Sequence, residues 1–135
     1  MIVVDTNIIG YLYLSSDRSE QAEEALLKDA QWVAPILWRS EFRNVLTLYM
    51  RKNILALEDA VRIMGEATSL MQGGEYETVS FQVLQLVKES TCSAYDCEFV
   101  ALAGDLNVPL VTVDKQILKK FPNKTISLDE FIGQG

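Results

Sequence analysis

Asp5 closes the apolar run Ile2-Val3-Val4, Asp114 closes Leu110-Val111-Thr112-Val113, and Glu41 and Asp96 each interrupt the apolar stripe of a predicted helix. An ionised carboxylate is costly in such surroundings unless a cation or a dense set of hydrogen-bond donors meets it. These four acids therefore point to one shared site. The chain contains no histidine, which removes Ser-His-Asp and Cys-His catalysis, an imidazole general base and a histidine-based zinc centre. An all-oxygen cluster suits a hard divalent ion instead, Mg²⁺ or Mn²⁺, which keeps several waters and binds phosphate. The chemistry such a cluster serves is metal-assisted hydrolysis of a phosphodiester.

Other phosphate chemistries fit less well. Neither a GxxxxGK[ST] loop nor a GxGxxG turn is present, so Val3-Val4-Asp5 is not half of an ATPase or dinucleotide site. A phosphatase of the haloacid-dehalogenase type wants a second aspartate two residues after the first, where this chain has Asn7.

Each acid also has an ordinary structural explanation. Asp5 and Asp114 follow a strand and precede a helix, the preferred place for an N-cap. Asp96 sits at the third helical position after Ser93, as in a capping box. Glu41 shares its helical face with Leu37, Val45 and Leu48, within roughly 40° on the wheel. Its neighbours Arg39 and Arg43 project from the opposite face as solvated charges, so a partner for Glu41 must come from another element. Phe99, Val100 and Ala103 surround Asp96 in the same way, within roughly 60°, while Glu98 and Asp105 read as solvent-facing. Thr112, on the same side of its strand as Asp114, either orients a carboxylate or a bound water or is simply a β-branched strand residue. Thr6 and Asn7 either bond the first carboxylate or close the turn. Lys115, Lys119 and Lys120 are local cations beside Asp114, although Lys119 and Lys120 also suit a helix C-terminus.

Short apolar runs at Ile2 to Val4, Trp32 to Val33, Glu77 to Val79, Leu110 to Val113 and Thr125 to Ser127 read as strands. Helical periodicity covers Ile8 to Leu14, Ser19 to Lys28, Ile36 to Lys52, Glu58 to Met71, Phe81 to Glu89 and Ala94 to Leu106. This alternation predicts a parallel sheet with helices on its faces. The continuously apolar strands at 2 and 110 belong at its centre, and the tail through Ile132 reads as an edge strand with a final helical turn. Gly73-Gly74 and Asn107-Val108-Pro109 are the clearest turns. Ligands of such sheets collect beyond the carboxyl ends of the strands, the rim occupied by Asp5 and Asp114.

With 135 residues, 49% of them hydrophobic, the chain is expected to form one α/β domain over residues 1–135. No apolar run reaches the roughly 20 residues of a membrane span, and no leader is evident at Met1, so a cytoplasmic protein is expected. Cys92 and Cys97 match neither a zinc knuckle nor a CxxC pair and read as packed, reduced thiols. A net charge of −7 argues against a broad electrostatic grip on nucleic acid, so any such contact must be local or metal-mediated.

Val3-Val4-Asp5-Thr6-Asn7, Ser40-Glu41-Phe42, Tyr95-Asp96 with Phe99 to Ala103, and Leu110-Val111-Thr112-Val113-Asp114 together resemble the PIN-domain family, and in size its VapC-type toxins. The resemblance covers essentially the whole chain. It implies a three-layer α/β/α sandwich around a parallel sheet and a Mg²⁺- or Mn²⁺-dependent endoribonuclease acting on RNA. The family's catalytic and metal-binding acids fall on Asp5, Glu41, Asp96 and Asp114. It further implies a homodimer and a small antitoxin partner that blocks the acidic site with a basic side chain. Lys115-Gln116-Ile117 lacks the extra acid that some members carry, which makes a second metal less secure than the first. Two other readings remain: a catalytically inactive PIN-like interaction or regulatory module, and a phospho-acceptor domain, whose usual acidic pair near the first strand is absent from Asp5-Thr6-Asn7.

Overall fold

In the computed structural model, which describes residues 1–133, the strands are β1 (Ile2–Val4), β2 (Trp32–Pro35), β3 (Glu75–Tyr76), β4 (Leu110–Thr112) and β5 (Thr125–Ser127). The helices are α1 (Thr6–Tyr13), α2 (Ser19–Lys28), α3 (Trp38–Arg51), α4 (Leu57–Met71), α5 (Ser80–Lys88), α6 (Ala94–Leu106), α7 (Lys115–Lys120) and α8 (Leu128–Gly133). The strands form one parallel sheet in the order β3-β2-β1-β4-β5. β1 and β4 are buried along their whole lengths, as expected of central strands covered on both faces.

The chain steps outward from β1 through β2 to β3, then returns to the other side of β1 to add β4 and β5. Right-handed crossovers therefore place helices on opposite faces before and after the return. α6 packs on β1, β2 and β4 and carries α5 outside it. Over the other face, α1 and α8 pack on β4, α4 packs on β2, and α2 joins α1 to α8. The result is the expected three-layer α/β/α sandwich. The core unites Val3, Val4 and Leu110 of the sheet with Ile8, Trp38 and Phe42 on one side and Phe99 and Val100 on the other. Among the described residues no helix is long and apolar enough to cross a membrane.

The Ala94 to Leu106 helix and the Thr125 to Ser127 strand lie where expected. α6 ends on Asn107 in the left-handed region, φ 55° and ψ 45°, and Pro109 follows. α1 begins at Thr6, directly after Asp5, rather than at Ile8. The largest departure is the third strand, which is Glu75–Tyr76 and not Glu77 to Val79. Long-range bonds set this register: Ala34 N–H donates to Gly74 O at 2.9 Å and Ile36 N–H to Tyr76 O at 2.9 Å. Arg39 is likewise not a solvated charge. Its Nε and Nη2 each donate to the Glu75 carboxylate at 2.6 Å, and Trp38 Nε1 adds a third bond at 2.8 Å. This clasp ties the edge strand to the first turn of α3. α7 is too short to show helical periodicity and is marked in the sequence only by the N-cap reading of Asp114 and by Lys119 and Lys120 at its C-terminus.

Gly73, at φ +83°, turns the chain into β3, and Gly74 lets its backbone lie against β2. A Cβ at Gly74 would stand 2.4 Å from Trp32 O, with backbone on both sides and little freedom to yield. Gly74→Ala is therefore expected to destabilise the fold by about 2 kcal/mol, read from denaturant midpoints. An unchanged midpoint would mean that β3 shifts without cost.

Candidate active site

Topology brings the four acids to one rim. Asp5 directly follows β1 and Asp114 lies two residues beyond the end of β4, the neighbouring strands between which the direction of sheet growth reverses. Such a reversal opens a crevice beyond the carboxyl ends of the strands. Glu41 and Asp96 lie in the first turns of α3 and α6. α3 leaves the carboxyl end of β2, and α6 runs back toward the start of β4, so both helix N-termini stand at this same rim. Their partial positive charge favours nearby anions.

Two buried threonines fix two of the carboxylates. Thr112, fully buried on β4, donates from Oγ1 to Asp5 Oδ2 at 2.8 Å and accepts the Asp114 N–H at 3.0 Å. Of the readings open for Thr112, these bonds match the orienting of a carboxylate. Thr6 donates from Oγ1 to Glu41 Oε1 at 2.7 Å, so it serves the helical acid rather than Asp5 through its side chain. The capping explanation separates the acids. Asp114 is a true cap, its Oδ1 accepting from Gln116 N–H at 2.9 Å and Ile117 N–H at 3.1 Å. Asp5 stands at the N-cap of α1 yet makes no side-chain cap bond. At α6 the cap is Ser93, whose Oγ accepts from Asp96 N–H at 3.0 Å, which releases the Asp96 carboxylate from that duty.

Burial raises Asp5 above the usual carboxylate range; Thr112 opposes the rise, and the charges of Asp96 and Asp114 add to it. Glu41 is raised by burial and by Asp5, Asp96 and Glu98, against the bond from Thr6. Asp96 is raised by burial and by Asp114, with Ser93 opposing. Asp5, Glu41 and Asp96 thus each feel the charge of acidic neighbours, and none of the four acids forms an ion pair among the described residues. As the side chains stand, however, no three acidic or thiol groups among the described residues converge closely enough to hold a metal ion.

Glu98 belongs to the periphery of this cluster, although its place on the α6 wheel had suggested a solvent-facing residue. It is half-buried, accepts from Thr78 Oγ1 at 3.0 Å, and bears on Glu41. Only the arrival of both residues at this rim of the sheet reveals it, and no sequence signal marks it. Asp105 is exposed, and Cys92 and Cys97 are buried free thiols, all as expected.

Residues 2–124 match the family model for the PIN domain. Ribonuclease VapC3 of Pyrobaculum aerophilum is 30% identical over 124 residues, 90% of this chain and 95% of that protein. The PAE2754 protein of Pyrobaculum aerophilum superposes with a TM-score of 0.78 at 19% identity, covering 98% of this chain and 94% of the other. The FitAcB structure from Neisseria gonorrhoeae gives 0.72 at 17%, and a toxin–antitoxin complex from Klebsiella pneumoniae gives 0.67 at 18%. Both cover 95% of this chain and 98% of the matched one. At these identities the three structures attest the fold.

The raised carboxylates imply a definite pH dependence. In the folded chain Asp5, Glu41 and Asp96 keep protons that the unfolded chain has already released. Their contribution is favourable below the ordinary carboxylate values and is lost as pH rises through the raised ones. Asp5→Asn, whose amide oxygen still accepts from Thr112, is expected to raise the melting temperature of the metal-free protein at pH 7 by about 4 °C. That advantage should shrink as pH is lowered toward about 4. Melting curves of both proteins across pH check this, and a variant less stable at every pH would show that Asp5 serves the fold instead.

Proposed function

This chain belongs to the PIN-domain family, and from that premise we propose that it is a divalent-metal-dependent endoribonuclease, the toxin of a toxin–antitoxin pair. Asp5, Glu41, Asp96 and Asp114 are its catalytic and metal-binding residues in this reading. The observation that carries it is the gathering of four carboxylates at the sheet's reversal point, none of them in an ion pair among the described residues. The relative named Ribonuclease VapC3 supports the activity, and the toxin–antitoxin complex supports the biological setting.

The donor set fits Mg²⁺ or Mn²⁺, since it is all oxygen and its mutual repulsion is relieved by an added cation. The carboxylates stand too far apart for three to share an ion as they are, so binding has to draw side chains inward. Such an ion, when bound, makes water a better nucleophile and offsets phosphate charge. The chain's own part is to hold the acids in place: Thr112 orients Asp5, Thr6 orients Glu41, and the α7 cap holds Asp114. A net charge of −7 leaves little general attraction for RNA, so the substrate is gripped locally at this rim.

The same charge favours a small antitoxin that presents a basic side chain to the acids. We further assign the protein to the cytoplasm, as one domain over residues 1–135 that pairs into a homodimer. Exposed Phe81 and Leu84 on α5, 73% and 62% accessible, supply apolar surface suited to such pairing.

Incubation with mixed RNA and Mn²⁺ is expected to give chelator-sensitive endonucleolytic cleavage. Asp5→Asn and Asp96→Asn should each lower the rate by roughly two orders of magnitude or more. Millimolar Mn²⁺ should also raise the melting temperature of the wild-type protein. Cleavage that persists in both variants would remove these acids from the reaction. A folded protein that neither cleaves RNA nor responds to Mn²⁺ would be the inactive interaction module.

A further inference from the structure

Beside the acids lies an open cavity of about 120 Å³ between α1 and α3, lined by residues that include Thr6, Asn7, Gly10, Tyr11, Val45 and Tyr49. It adjoins the site through Thr6, the residue whose hydroxyl holds Glu41. The Tyr11 hydroxyl lies within the electrostatic reach of both Asp5 and Arg18. An apolar cavity of roughly 150 Å³ takes up benzene, so this one, open at its mouth, is on the scale of a single planar ring. Two tyrosines and a valine supply flat apolar surface, and exposed Asn7 supplies an amide that both donates and accepts.

We propose that this cavity receives one base of the RNA substrate, next to the phosphate held at the acids, with Tyr11 and Tyr49 as the residues on which the base stacks. The inference rests on the ribonuclease reading and deepens it. An acidic chain gains little from the polyanionic backbone, so its affinity for a strand has to come from contacts that do not depend on charge. Stacking of unpaired bases on aromatic side chains is the contact of that kind, and it selects single-stranded RNA. Gly10 lines the cavity, and a methyl group there would make only an ordinary contact, with Phe42 Cε1 at 3.8 Å.

Free nucleosides test this without any phosphodiester. The wild-type protein, metal-free, is titrated with the four nucleosides and with ribose, following the tyrosine ring resonances by NMR. Nucleosides are expected to bind and ribose not. Tyr49→Leu and Tyr11→Leu should each weaken binding by roughly 5- to 150-fold. Gly10→Ala is expected to be at least as stable as the wild type, since alanine is the better helix former, and yet to bind nucleosides more weakly. Nucleosides that bind no better than ribose, or tyrosine variants that bind as the wild type does, overturn the proposal. If nucleosides bind as expected but no RNA is cut with Mn²⁺, the cavity assignment stands and the nuclease reading falls. If RNA is cut while nucleosides fail to bind, the reverse holds.

Discussion

The parallel pairing of β1 with β4 is the constraint on which this molecule depends. Its register sets Val4 beside Val111 and so carries Asp5 alongside Thr112, residues far apart in sequence. The pair is buried on both faces, which gives its apolar side chains a strong reason to stay in that register, since a slip would exchange core and rim residues. A hydrophobic contact thereby places two carboxylates that water would otherwise keep apart. The helices complete the set because parallel crossovers leave the first turns of α3 and α6 at the same end of the sheet.

Electrostatics and packing are consequently opposed at the rim. The sheet holds Asp5 in surroundings that disfavour its charge, and Glu41 and Asp96 share that burden. Each is partly compensated by a hydroxyl rather than by a cation. A lysine or arginine in that position would settle the local charge and fill the place where an added cation belongs. Arg39, two residues before Glu41, is instead turned away and committed to Glu75 at the sheet edge.

What could be read in the chain was whatever rests on local pattern. The apolar runs at 2 and 110, the stripe from Ala94 to Leu106 and the intrusion of four acids into apolar surroundings are all periodicity, and all lie where expected. β3 could not be read that way, because Glu75 and Tyr76 become a strand only through bonds to β2 and through the close backbone approach at Gly74. The role of Arg39 depends on the edge strand that carries Glu75, and the nearness of Glu98 to Glu41 on where the ends of α3 and α6 meet the rim of the sheet. α7 is short, and its N-terminus is secured by the Asp114 carboxylate more than by any stripe. The distinction between Asp114 as a cap and Asp5 as a non-cap likewise required the side-chain geometry.

The Thr112 hydroxyl has a directional property that follows from its two bonds. It has a single proton, given to Asp5, and its oxygen at the same time receives the N–H of Asp114. Donation and acceptance at one oxygen polarise each other, so the two bonds strengthen together. A negative charge on Asp5 pulls the hydroxyl proton toward itself, makes that oxygen a better acceptor, and tightens the backbone at the mouth of α7. Removing that charge loosens both. Through one oxygen atom, the ionisation of a side chain after the first strand is thus felt by the peptide group that launches the helix after the fourth.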